Sequence, residues 1–401
     1  MKELKNLLSI CGHEIRHNLA DSGVLVFFLI VPLLYPLLYA YLYGQEVVRE
    51  VPVVVVDECR SSLSREFLRK SDATPDLHII SYCTDMEEAR ELMRRHKAYG
   101  LIHIPAEFSK TIDDGRQATV NLYCDMSGLL YYKALLSGCT MVSLDMNRDI
   151  QIQRLGGLTD SEMEVQTMPI ENEYVTMFNP ANGFQGFIIP AILILIVQQT
   201  MVLGISMTTG TEYEQRKRGK LVFGAEYRNP VTVFLGKSLA YLIVYMVVTL
   251  YLLVFIPYLF HMPQLAHYDT LLAFMLPFLL ACISMSMLLS YFVRDRESSF
   301  LLFVFMSVPL IFMSGISWPV SNMPKVWYGL SQIFPSTHGV NAYCRIIGDG
   351  AILRDIMHEY TLLWFLAAAY FILALGIRLI PWRGRRGAVI LPKADSMSAQ
   401  S

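Results

Sequence analysis

Six stretches of this chain carry no Asp, Glu, Lys or Arg over lengths that approach the thickness of a bilayer, and nothing else in the sequence constrains the fold as strongly. The first is residues 23 to 43, GVLVFFLIVPLLYPLLYAYLY. At ~1.5 Å per residue it can cross a hydrocarbon core ~30 Å thick. The others are residues 184 to 207, 238 to 260, 270 to 292, 298 to 320 and 361 to 377. They predict an α-helical membrane protein with six transmembrane helices. Composition agrees: 54% of the 401 residues are hydrophobic and only 17% charged, with a mean hydropathy of +0.40. A disordered chain, a disulfide-stapled miniprotein and a collagen-like fibre are excluded on these numbers. With 33 basic against 35 acidic residues there is no basic field to attract phosphate, so no nucleic acid is expected as a partner.

Residues 23 to 43 are too long for the apolar core of a signal peptide, and no small-residue cleavage pattern follows, so they are expected to stay as an anchor. A seventh uncharged stretch, 326 to 343, holds Gly329, Gln332, Pro335, Ser336, Thr337, His338 and Asn341. It is too polar for a lipid-facing span and is expected to be re-entrant or interfacial. Orientation follows from Lys and Arg in the short connecting pieces. Sixteen lie on the side that holds the N-terminus and three, Lys325, Arg345 and Arg354, on the other. Both termini are therefore expected in the cytoplasm.

Between the first two stretches lies a polar region, 44 to 183, with 14 basic and 22 acidic residues. It is expected outside the cytoplasm as an inserted α/β domain. VPVVVVD at 51 to 57 has the length and β-branching of a buried strand. Helices at 61 to 70 and 85 to 99 and strands at 77 to 82, 100 to 105 and 118 to 124 continue an alternation that argues for a mostly parallel unit. Asp125 is expected to cap a long helix through about residue 153, and Phe178, Asn179 and Pro180 to mark the turn back into the apolar region. Cys59, Cys83, Cys124 and Cys139 face an oxidising side in this reading; paired disulfides and small buried thiols are both open.

Three motifs bear on chemistry. HEIRH, with His13, Glu14 and His17, has the spacing that puts two metal ligands on one helical face beside a general base. No third ligand motif follows it, so an amphipathic elbow before the first span is favoured over a zinc site. Gly236, Lys237 and Ser238 resemble the end of a phosphate loop, but Val231 stands where the earlier glycine belongs. The segment 211 to 237 interleaves Glu212 and Glu214 with Arg216, Lys217 and Arg218, and Gly219 ends the run. Mixed charge with a helix stop suits docking to a protein partner better than a lipid patch. Gln198 and Gln199, near the middle of the second span, are candidates to line a pathway, although bonding between helices is the commoner role of such residues.

In their order along the chain, these features resemble the ABC-2 type of ABC transporter membrane subunit, in the subgroup with a periplasmic domain between the first and second of six helices. The resemblance rests on the elbow HEIRHNLADSG, on VVVVDECRSSLSREFLRK and DMEEARELMRRHKAYGLIHIPAEFSKTIDDG, on FNP, on the E-x-E-x-R-K-R-G segment with NPVTVFLGKSLAY, and on SGISWPVSNMPKVWYGLSQIFPSTHGVNAYCRI. Lys220 stands where that pattern has Thr. The resemblance implies an elbow at 1–22, a first helix at 23–43, an extracytoplasmic domain at 44–183 and helices two to six within 184–380. It also implies a cytoplasmic coupling loop at 208–237 and a cytoplasmic tail at 381–401. Glu212, Glu214, Arg216, Lys217, Arg218 and Gly219 would then meet separate ATPase subunits, which would bind the ATP and Mg, leaving this chain no cofactor and no catalytic residue of its own. A second permease copy or a related permease, membrane lipid, a periplasmic adaptor and an outer-membrane channel are the further partners of such systems. Their place is the bacterial inner membrane and their activity the efflux of drugs or other amphipathic substrates. A metalloprotease built on His13, Glu14 and His17, and a receptor with an external sensor, are the competing readings.

Overall fold

The computed structural model describes residues 2–44, 48–155, 183–219, 229–262 and 264–379. The chain divides into two compact units, Met1–Gly44 with Phe178–Ser401, and Gln45–Met177.

The first unit opens with α1 (Lys2–Ala20). Asp21 then ends the elbow: its carboxylate accepts from the backbone N–H of Gly23 (3.0 Å) and Val24 (3.2 Å), which caps α2 (Ser22–Leu42). A single π turn at Val26–Ile30 precedes Pro32 in α2. Widening the turn there absorbs the hydrogen bond that proline cannot make.

The second unit is α/β. In chain order it runs β1 (Val51–Asp57), α3 (Ser62–Asp72), β2 (Leu77–Tyr82), α4 (Met86–Arg94), β3 (Gly100–Ile104), α5 (Phe108–Asp113), β4 (Asn121–Cys124) and α6 (Leu129–Leu155). The sheet order is β2-β1-β3-β4, with β1 parallel to both neighbours and β4 antiparallel to β3. Its valine-rich β1 is central because both faces are covered. Val51, Val53 and Val55 meet α3 and α6 through Phe67, Leu68 and Leu135, while Val54 and Val56 meet α4 through Ala89. Helix α5 has no counterpart in the expected elements, and Asp125 does not cap α6. It accepts from Ser127 N–H at 2.9 Å, closing a turn before the helix starts. All seven cysteines are free thiols. Burial pushes Cys139 up to about 12, so it behaves as a small apolar residue.

The first unit resumes with α7 (Phe184–Lys217), α8 (Pro230–Leu259), α9 (Tyr268–Leu289), α10 (Ser298–Met313), α11 (Lys325–Ser331), α12 (Pro335–Gly348) and α13 (Met357–Leu379). Helix α7 forms the spine: 89% of its apolar window is buried, against 28% for α2 and 22% for α13. An apolar helix buried all round belongs at the centre of a bundle, with the mostly exposed ones outside it. Among the described residues five helices are long and apolar enough to cross a membrane: Ser22–Leu42, Gln185–Lys217, Pro230–Leu259, Tyr268–Phe292 and Met357–Ile377. The stretch 298 to 320 departs from expectation. It is helical only to Met313, about 24 Å, because the chain turns at Gly315, whose φ is +87°. The segment 326 to 343 forms the exposed α11 and the buried α12.

Of the expected loop at 208–237, the described residues are mostly helix. Residues 208 to 217 prolong α7: Thr208, Thr209, Gly210 and Thr211 are poor helix formers, but Glu212, Glu214, Gln215, Arg216 and Lys217 are good ones, and the Glu214–Arg218 pair at i,i+4 (3.6 Å) adds support. Gly219, at φ +69°, stops it. Asn229 then caps α8 by accepting from Val231 N–H at 3.1 Å, with Pro230 in the first turn. Phe178, Asn179, Pro180, Lys220 and the tail 381–401 lie outside the described residues.

Candidate functional site

Helix α1 buries Ile10, Glu14 and Asn18, which recur at i, i+4 and i+8 and so form one stripe. Gly236 of α8 lets this stripe come close: a Cβ there would sit 2.9 Å from Ile10 Cβ and 3.1 Å from the Leu7 carbonyl. One turn of α8 further on, Tyr241 meets Glu14.

The result is a buried ionic hub. Lys237 Nζ lies 3.1 Å from Glu14 Oε2 and also pairs with Glu212 of α7. Tyr241 donates its hydroxyl to Glu14. Glu14 and Tyr241 are each 1% exposed and Lys237 5%. Two carboxylates around one ammonium leave no slack: a charge this deep is tolerated only while its partners stay in place, and removing one partner of such a pair typically costs ~3–5 kcal/mol. Around the hub, Thr232 donates to Glu3 at 2.7 Å and Thr208 donates to Asn18 at 3.0 Å.

A second set of contacts joins the same elements to the α9–α10 connection. Arg296 reaches the Asp21 carboxylate at 2.8 and 3.3 Å, and its backbone N–H donates to Glu214 at 3.1 Å. Gly210 admits this approach, for a Cβ would lie 2.9 Å from the Asp295 backbone. Burial works to raise the Asp21 carboxyl, but the Val24 and Gly23 N–H groups together with Arg296 outweigh it and hold it below the usual aspartate range.

The six residues expected to dock a partner therefore separate. Glu212 and Glu214 are half-buried and engaged within the chain, whereas Arg216, Lys217, Arg218 and Gly219 are exposed at the end of α7. Of the zinc-like motif, His13 and His17 stack with centroids 6.2 Å apart, but Glu14 is held by Lys237 and Tyr241 instead of poised as a base. Among the described residues no group of three or more His, Cys, Asp or Glu side chains is placed to hold a metal ion. Tyr241 and Arg296 were not among the sequence-based candidates, and Lys237 was weighed only as the end of a phosphate loop. The signal for Lys237 is present in the sequence, since a lysine at the edge of an apolar run needs a carboxylate.

Gln198 and Gln199 stand about 28 Å along α7 from Lys217, and both are buried. Gln198 Oε1 accepts from Ser336 N–H in the first turn of α12 at 2.7 Å. Two residues on, Thr200 accepts from Tyr245 of α8 at 3.2 Å.

Comparisons with known proteins give the family. A family model described as ABC-2 family transporter protein matches residues 23–375. The chain is 23% identical over 317 residues, covering 77% of it and 81% of the relative, to the probable multidrug ABC transporter permease YbhR of Escherichia coli. It is 21% identical over 399 residues, 92% of it and 98% of the relative, to the linearmycin resistance permease protein LnrN of Bacillus subtilis. It is also 25% identical over 283 residues, 67% of it but 35% of the relative, to ABC transporter G family member 20 of Dictyostelium discoideum. The match over most of the chain shows that this protein belongs to the ABC-2 family of transporter proteins.

Proposed function

We propose that the chain is the membrane subunit of an ATP-driven exporter of drugs or other amphipathic compounds, working in the bacterial inner membrane with separate ATPase subunits that bind ATP and Mg. Two copies, or one copy and a related permease, would form the transport unit. In this reading α10 counts as one of six crossings, α12 is re-entrant, both termini are cytoplasmic and the α/β unit lies outside. A periplasmic adaptor and an outer-membrane channel would extend the route.

The observation that carries the reading is the end of α7. Arg216, Lys217 and Arg218 are exposed there, while Glu212 and Glu214 tie the same turns to Lys237 and Arg296. Force applied at the basic tip is thus passed to α1, α8 and the α9–α10 connection, and along a rigid helix to Gln198. The exposed Leu4 and Leu8 with Lys5 on α1 suit a helix lying at the headgroups. The names of two relatives, a probable multidrug permease and a linearmycin resistance permease, support the substrate class.

Reversing Arg216 and Lys217 to Glu tests the docking role. Insertion into the membrane should be unchanged, since the spans are untouched. Co-purification with the ATPase should fall at least tenfold, and Arg385→Glu with Arg386→Glu in the tail should have a smaller effect. Full coupling in the first variant and loss in the second would move the docking site to the tail.

A further inference from the structure

The contact between α7 and the start of α12 carries more polar atoms than it uses. Gln198 and Ser336 are 0% exposed, Thr337 3% and Gln199 6%. Gln198 accepts from Ser336 N–H, which aims its amide at the N-terminal turn of a 14-residue helix. Yet Gln198 Nε2, both polar atoms of the Gln199 amide, Ser336 Oγ and Thr337 Oγ1 have no hydrogen-bond partner among the described residues. Bonding between helices explains one atom of Gln198. It does not explain idle donors on Gln198, Ser336 and Thr337 at one helix start, with Gln199 idle beside them on α7, because in an apolar bundle each idle polar atom favours an apolar replacement. One turn further, Gly339 presses on Phe278 and Ile194, and a Cβ there would meet Phe278 at 2.6 Å. The helix is therefore tightly seated beyond the seam and under-bonded at it.

The idle groups define the chemistry. An amide N–H on α7 and two hydroxyls in the first turn of α12 lie at the positive end of a helix dipole, a set that suits an acceptor oxygen carrying full or partial negative charge. We propose that this seam is the closed form of a cargo subsite, which opens between α7 and α12 to receive the carboxylate or carbonyl oxygen of an amphiphile. The proposal rests on the exporter reading and adds the headgroup class. On opening, the oxygen takes the Gln198 N–H and the Ser336 and Thr337 hydroxyls, and on closing the seam expels it.

Cys282 of α9, itself fully buried, lies at the seam with its thiol 3.9 Å from Gln198 Oε1 and serves as a native reporter. Cys139 of α6, 2% exposed, is the comparison thiol. The intact protein in lipid nanodiscs, with its other five cysteines replaced by alanine, is treated with the neutral, water-soluble reagent 2-hydroxyethyl methanethiosulfonate, and labelling of each thiol is followed by mass spectrometry. Cys282 is expected to react at least tenfold faster than Cys139. Dodecanoate should slow it at least fivefold, and dodecyltrimethylammonium, with the same tail and no acceptor oxygen, should not. The variant Gln198→Leu, Ser336→Ala, Thr337→Val should drop Cys282 to the Cys139 rate without lowering Tm. Equal rates for the two thiols in the unsubstituted seam would overturn the opening. Fast labelling without selective protection would mean that water alone enters, and would overturn the cargo assignment. None of these readouts needs ATP, so failure of the exporter reading, seen as absence of a co-purifying ATPase, is a separate result.

Discussion

Lys237 holds two acidic side chains of different elements, so its replacement by methionine strands Glu14 and leaves Glu212 without its cation. The expected loss is about 3–5 kcal/mol, read as a lowered Tm of the detergent-solubilised protein. Adding Glu14→Gln to Lys237→Met should recover most of it, since the deeper uncompensated charge is then gone. No recovery would mean that Lys237 acts through packing alone. Asp21 gives a pH signature. Its folded pKa lies below its unfolded value, so its stabilisation is fully present above the ordinary aspartate pKa of ~3.9 and is lost as pH falls through the lower, folded value. Arg296→Gln should weaken this acid sensitivity of Tm between about pH 5 and 3, and an unchanged acid profile would count against the pair. The mixed charge of residues 211 to 219 was legible as a special segment. The sequence could not divide it into half-buried carboxylates and exposed cations, because the partners Lys237 and Arg296 lie 25 and 82 residues away from the carboxylates.

The α/β unit shows how well local pattern survives at the level of elements. Strand β1 is a run of β-branched residues that suits only a strand buried on both faces, and both faces are covered. Helix α3 starts where Ser61 accepts from Ser64 N–H at 2.9 Å. What local pattern missed was set by turns. Phe108–Asp113 is a short helix with no capping side chain, and Asp125 bonds two residues ahead instead of three. Likewise, uncharged residues 298 to 320 look continuous, but hydropathy does not register the positive φ at Gly315. With its own core on both sides of the sheet, the unit is expected to fold alone. Residues 48 to 176 expressed separately should melt cooperatively and show mixed α/β circular dichroism. A disordered spectrum would make its fold dependent on the rest of the chain.

At the scale of the whole molecule, membrane residence was written in the charge-free stretches and the family in the order of motifs along the chain. The way force would cross the helical unit was not, because it depends on residues distant in sequence meeting at α1, α7, α8 and the α9–α10 connection. In the proposed function this chain forms the transport route and draws its energy from a separate ATPase. The most direct test is ATP hydrolysis by the affinity-purified protein, reconstituted in lipid vesicles with and without the subunits that co-purify from its own host. No hydrolysis is expected from this chain alone, and the complex should hydrolyse ATP at a rate that Arg216→Glu with Lys217→Glu reduces at least tenfold. Hydrolysis by the isolated chain, or a purified transport-competent protein with no ATPase attached, would contradict the proposed function.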